Sequence, residues 1–209
     1  MTRILLISGS THEGSVHTAA LRTASQLTPA GSSTTLYDGL RSLPAYVPGE
    51  PTPPDAVVQL RRQVAEADVL LFSTPEYAGS APGSLKNLLD WLVAGGDLHD
   101  KAAGWLSVAA PGKDEGAHAA LEAALAYGNA RLLQWARARI PLSPDAVDSH
   151  GVIDNPQLRL ALTDMLQAFS RFVAGPQPRQ TPSWDTYSSV YPVILRKNPP
   201  PSSIWRTSA

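Results

Sequence analysis

The sequence predicts an α/β domain built on a doubly wound, five-stranded parallel sheet with helices on both faces. Three observations carry this. Short apolar runs such as Ile4-Leu5-Leu6-Ile7 and Val69-Leu70-Leu71-Phe72 are continuous rather than alternating, the pattern of strands covered on both faces. Helical stripes separate these runs, and the alternation of strand and helix implies right-handed parallel crossovers. Turns rich in Gly, Ser and Pro follow the first and third runs.

The elements follow in chain order. Residues 4–8 read as the first strand. From Ser15, Val16, Ala19, Ala20, Thr23 and Leu27 form a helical stripe. Residues 33–37 are β-branched and short, a second strand. Residues 39–54 hold Pro44, Pro48, Pro51, Pro53 and Pro54 and read as a loop. Asp55 is placed to cap a helix carrying Val57, Val58, Leu60 and Val64. Residues 68–73 give a third strand. Leu85, Leu88, Leu89 and Leu92 then stand at helical spacing, and Gly95-Gly96 ends that helix. A fourth strand is expected over 103–109, an alanine-rich helix over 115–135 and a short fifth strand over 138–142. Pro156 behind Asp154 and Asn155 starts a last helix with Leu158, Leu162, Met165, Leu166, Phe169 and Phe172.

Composition narrows the function classes. A chain of 209 residues with 43% apolar residues suits one domain with a full core and an extension. The net charge of -1 gives nucleic acid no electrostatic footprint. The absence of cysteine removes disulfides, thiolate metal sites and a thiol nucleophile. The opening apolar run is too short for a signal peptide, and no stretch reaches the roughly 20 apolar residues of a membrane span. The expected location is cytoplasmic.

In a sheet of order 2-1-3-4-5, strands 1 and 3 are neighbours whose connections leave in opposite directions. The crevice at their C-terminal ends is where ligands bind in such sheets. The first loop, residues 9–17, joins strand to helix and exposes N–H groups at a helix N-terminus. Ser8, Ser10, Thr11 and Ser15 add hydroxyl donors, while His12 and His17 can add charge. The loop lacks both G-x-x-x-x-G-K-[ST] and G-x-G-x-x-G, so a monophosphate suits it better than a triphosphate or dinucleotide. The same residues also suit an ordinary turn capped by Ser15. The second loop runs from Pro75 into a helix opened by Pro82. Its backbone can face the edge of a planar ring, and Tyr77 can line the pocket. A third loop, residues 110–116, borders the same crevice. No metal site is expected, because the two histidines lack a partner at i, i+4.

At these residues the chain resembles the NADPH-dependent FMN reductase family, which includes quinone and azo-dye reductases. The family's G-S-x-R-x-x-S-x-N stands here as Gly9-Ser10-Thr11-His12-Glu13-Gly14-Ser15-Val16-His17. Its P-E-Y-N-G-S-x-P-G-x-L-K-N-x-x-D-W stands here as Pro75 through Trp91, with Ala78 in the asparagine place. The resemblance covers roughly residues 1–174 and implies a flavodoxin-like fold. It implies that Ser10, Ser15 and the backbone at Thr11 hold the FMN phosphate, beside Ser8, His12, Val16 and His17. It further implies that Pro75, Glu76, Tyr77, Ala78, Gly79 and Ser80 border the flavin, with Pro111 and Gly112 approaching from the other side. A homodimer or homotetramer is implied, with the helix over Leu85–Leu92 at the interface and Trp91 either its anchor or plain core.

With arginine and asparagine replaced by His12 and His17, charge at the phosphate depends on imidazolium. FMN affinity is then expected to weaken as pH rises from about 6 to about 9.

The resemblance implies an NAD(P)H oxidoreductase that reduces a small acceptor, a free flavin or quinone, with ping-pong kinetics and no side chain serving as acid or base. His118 and Lys113 stand near the third loop and read as surface residues or as contacts to NADPH or substrate. Alternatives are a reductase of one larger substrate and a flavin-binding protein without turnover. The first draws on residues 175–209, which hold seven prolines beside Trp184, Tyr187, Tyr191 and Trp205. That composition predicts a tail packed on its own or a neighbouring subunit.

Overall fold

A computed structural model describes residues 1–50 and 52–175, which belong to one compact unit. The predicted tail therefore lies outside the described residues, apart from Gly175.

The strands are β1 (Thr2–Ser8), β2 (Ser32–Leu36), β3 (Val69–Ser73), β4 (Ala102–Ser107) and β5 (Arg131–Arg139). The helices are α1 (Val16–Gln26), α2 (Asp55–Glu66), α3 (Gly83–Gly95), α4 (Glu115–Tyr127) and α5 (Pro156–Ala174). The sheet order is β2-β1-β3-β4-β5, with every pairing parallel. The parallel sheet is what the alternating pattern predicts, and its order is the flavodoxin-like one that the resemblance implies.

Parity along the strands divides the core. Ile4, Leu6, Val69, Leu71 and Leu106 point to the face covered by α1 and α5. Leu5, Ile7, Leu70, Phe72 and Ala103 point to the face covered by α2, α3 and α4. Every residue of β3 is buried, which explains its unbroken apolar run.

Three expectations need correction. Asp55 is the first residue of α2, with Pro54 in the cap position; its carboxylate faces the helix dipole rather than capping it. The fourth helix stops at Tyr127, well before residue 135. There Asn129 adopts φ 57°, and the N–H of Ala130 reaches the Leu125 carbonyl at 2.9 Å while Asn129 reaches Ala126 at 3.0 Å. These bonds form a Schellman stop. Residues 131–139 then become an edge strand despite their helix-favouring Arg, Leu and Ala. Pairing with β4 overrides local propensity, and the strand bulges between the Ala103 and Trp105 pairings.

The switch point lies where β1 meets β3. Ser8 pairs with Ser73, and the N–H of Gly9 donates to the Ser73 carbonyl at 2.8 Å. A Cβ at Gly9 would collide with the Thr74 side chain and lie 2.9 Å from Leu85 Cδ2. Glycine here lets the first two loops leave the sheet side by side. Among the described residues, no helix is long and apolar enough to cross a membrane.

Candidate functional site

The first loop is ordered by its own side chains. Ser8 Oγ lies 2.7 Å from Thr18 Oγ1 and accepts from the N–H of Ser10 at 3.2 Å. Ser10 Oγ accepts from the N–H of His12 at 3.2 Å, and Ser15 N–H donates to the His12 carbonyl at 3.3 Å. Ser15 occupies the N-cap of α1, yet its hydroxyl makes no capping bond. Among the described residues, the N–H groups of Thr11, Glu13 and Gly14 have no acceptor. An uncapped helix start therefore adjoins a loop of open donors.

Of these donors Gly14 lines a cavity of about 280 Å³, while Thr11 and Glu13, and likewise Ser8, lie outside its lining. Ser10, His12, Gly14, Ser15, Val16 and His17 line it from the first loop, Pro75 and Tyr77 from the second, and Pro144 from the segment after β5. Among the described residues no carboxylate lines it. Open N–H groups, hydroxyls and no negative charge make an anion its natural guest.

His17 behaves differently from the expectation. Its ring is buried, and Nδ1 lies 3.0 Å from Ser73 Oγ. Burial holds its pKa at about 4, an effect that nearby Asp114 opposes and nearby His118 adds to. His17 is therefore neutral across the pH range in which it was expected to lose imidazolium charge. Burial at His17 therefore works against the expected pH dependence. His12 is exposed beside the cavity.

The second loop is a tight turn. Tyr77 N–H donates to the Ser80 carbonyl at 2.9 Å and Ser80 N–H to the Tyr77 carbonyl at 3.1 Å. Between them Ala78 and Gly79 have φ of 50° and 74°, as a type I′ turn requires. Tyr77 is 50% exposed, so its ring stands at the cavity mouth. Ala78, Gly79 and Ser80 are exposed and lie outside the cavity lining. Glu76 turns away from that lining: its Oε2 accepts from the N–H of Ala117 at 3.1 Å and caps α4 from outside.

The third loop is tied to a buried ionic centre. Asp114 is fully buried; its Oδ2 accepts from Ser107 Oγ at 2.5 Å and its Oδ1 from Arg139 Nη1 at 2.5 Å. Arg139 also pairs with Glu115 at 3.1 Å. Asp114, Glu115 and His118 could by spacing hold a metal ion, but the Arg139 guanidinium is already paired with both carboxylates. Pro111, Gly112 and Lys113 are exposed and lie outside the cavity lining. His118 is buried rather than on the surface. It stacks on Trp105 at 3.9 Å, and burial lowers its pKa.

The profile of NADPH-dependent FMN reductase matches residues 2–139. The chain belongs to the NADPH-dependent FMN reductase family. It is 46% identical over 92 residues to an NAD(P)H-dependent FMN reductase of Pseudomonas aeruginosa, a match covering 43% of this chain and 49% of that protein. It is 33% identical over 93 residues to a quinone reductase of Escherichia coli, covering 43% and 50%. The chain thus spans about half the length of the curated relatives it matches. In fold it is similar to the flavoenzyme NAD(P)H:(acceptor) oxidoreductase of Paracoccus denitrificans, with TM-score 0.69 and 21% identity over 83% of this chain and 98% of that one.

The family's second signature has a structural half. In this FMN reductase relative, Asn87 Oδ1 accepts from Tyr46 N–H at 2.7 Å and Asn87 Nδ2 donates to the Pro44 carbonyl at 2.9 Å. Trp91 Nε1 donates to the same carbonyl at 2.9 Å. Trp91 is 3% exposed, so it is core within the chain rather than an exposed anchor. Sequence reasoning missed Pro144, Arg41 and Arg139. Pro144 lies beyond the matched residues and carries no local signal other than a Ser-Pro-Asp turn.

Proposed function

We propose that this protein is an FMN-dependent NAD(P)H oxidoreductase that reduces a small acceptor such as a free flavin or a quinone. The observation that carries the reading is the cavity at the β1–β3 switch point, where Gly14 and the uncapped start of α1 meet Tyr77. Family membership gives that cavity its expected guest. The donor set fits a phosphate monoester, and the half-exposed Tyr77 ring offers a face to a ring system.

Bound FMN would supply two-electron chemistry between NAD(P)H and the acceptor. The chain's own part is to bind and orient. The N–H groups of Thr11, Glu13 and Gly14, the start of α1 and the Ser15 hydroxyl would hold the phosphate. His17, neutral and fixed to Ser73, would contribute hydrogen bonding rather than charge. Pro75 and Tyr77 would border the ring. Ala78, Gly79, Ser80, Pro111 and Gly112, all exposed, would border the open side where NAD(P)H and acceptor bind in turn, an arrangement that suits ping-pong kinetics. No side chain is assigned as acid or base. We also propose a cytoplasmic homodimer or homotetramer.

The test is reconstitution of the purified protein with FMN, followed by NADPH and NADH oxidation assays with free flavin and quinone acceptors. Bound flavin with turnover supports the proposal. Bound flavin without turnover on any acceptor points to a flavin-binding protein. Failure to bind FMN overturns the reading.

A further inference from the structure

The first loop gains a guanidinium from outside itself. Arg41 lies in the short 3-10 helix Gly39–Ser42, in the segment between β2 and α2. Its Nε donates to the Thr11 carbonyl at 2.7 Å, and its Nη2 donates to the same carbonyl. Its Nη1 lies 3.2 Å from Glu13 Oε1. The planar fork thus grips two points of one loop.

Peptide geometry gives the grip a consequence. Within a planar trans peptide, C=O and N–H point in opposite directions. With the Thr11 carbonyl turned to Arg41, the N–H of His12 turns to Ser10 Oγ. The loop is then held in the shape that leaves the Thr11, Glu13 and Gly14 N–H groups without acceptors. Arg41 is itself held. A few residues on, Pro44 and Tyr46 are bonded to Asn87 and Trp91 of α3, and the Tyr46 and Trp91 rings meet edge to face at 5.0 Å. Residues 41–46 therefore form a strap from the first loop to the helix that follows the second.

We propose that Arg41 is a positioning residue that keeps the first loop open to a phosphate monoester. The inference rests on the FMN reading for the identity of that monoester. Arg41 lies outside the cavity lining, so it acts through the Thr11 carbonyl and Glu13 rather than on the ligand.

The experiment compares wild type, Arg41→Gln and Arg41→Lys by two readouts. Amide hydrogen exchange at His12 and Ser15, followed by NMR without ligand, reads the loop directly. Both glutamine and lysine variants should exchange faster there, with α1 unchanged beyond its first turn. Titration with FMN and with riboflavin reads the consequence. For Arg41→Gln the FMN dissociation constant should rise roughly tenfold, the loss of one charge-assisted hydrogen bond, with riboflavin affinity unchanged. Lysine, which lacks the fork, should fall between. Unchanged exchange overturns the positioning role whatever the ligand. Equal weakening of FMN and riboflavin also overturns it, because the strap would then support the pocket as a whole. A wild-type protein that binds neither flavin refutes the proposed function, while the exchange result still decides the role of Arg41.

Discussion

Acid should destabilise this protein partly through one imidazole. His17 is buried against Ser73, and its pKa is held at about 4 rather than the ordinary 6.5. The unfolded chain binds a proton at this position below pH 6.5, the folded chain only below about 4. Between those values the unfolded state carries more protons, so stability falls as pH falls. At 1.36 kcal/mol per pKa unit, the His17 contribution is close to zero near pH 7.5 and amounts to a loss of about 2 kcal/mol by pH 5. It approaches about 3 kcal/mol below pH 4. Against a typical total stability of about 5–15 kcal/mol, this is a substantial share.

The comparison that isolates it is His17→Asn. The Asn amide can reach Ser73 in place of Nδ1 but does not titrate. Whatever volume the smaller side chain leaves, that cost is the same at both pH values. Urea unfolding of wild type and variant at about pH 7.5 and about pH 5 gives a double difference. The wild type should lose about 2 kcal/mol more than the variant between the two conditions. His118 is pushed the same way by burial but is present in both proteins and cancels. An equal loss in wild type and His17→Asn would refute the argument and return His17 to the role of a titrating phosphate ligand.

Further perturbations test the other loops. A Cβ at Gly116 would overlap the Gly79 carbonyl, so Gly116→Ala should cost about 1–3 kcal/mol in chemical denaturation by displacing the second loop from α4. Ala78 sits at φ 50°, a conformation that asparagine tolerates better than alanine, so Ala78→Asn should raise stability by about 1 kcal/mol and with it the melting temperature. Asp114→Asn leaves Arg139 without its buried counter-charge. It should destabilise by about 3 kcal/mol in the same denaturation assay, with no recovery on adding divalent metal.

The sheet was legible because its central strands are buried on both faces and therefore wear unbroken apolar runs. The two loops at the switch point were legible because glycine, serine and proline cluster where the chain must turn sharply. The boundary between α4 and β5 was not, because Arg131–Arg139 are good helix formers that become a strand only by pairing with β4. The warning sign was Gly128-Asn129, a helix stop inside a stretch read as continuous. The candidate site shows the same division. Residues that meet the cavity through local sequence, such as Ser10, His12, Gly14, Ser15, Val16 and His17, could be located from their motif. Pro144 reaches the cavity from more than sixty residues beyond Pro75, which no local pattern reports.

Charge was the harder quantity to read, because it depends on burial rather than on residue type. His12 and His17 stand five positions apart in one loop, and the sequence treats them alike. The fold does not: His12 faces solvent, while His17 turns inward to Ser73 and is stripped of its proton by desolvation. A permanently charged guanidinium meanwhile comes to the same loop from Arg41, a residue whose only local context is a proline-rich connection. A phosphate approaching this loop would thus meet neutral hydrogen-bond donors held in place by a cation one layer away. Such a site should bind its anion with little contribution from His17 across neutral pH. Its salt dependence should be carried by the start of α1, because a neutral imidazole adds no charge for ions to screen and the Arg41 charge is paired with Glu13.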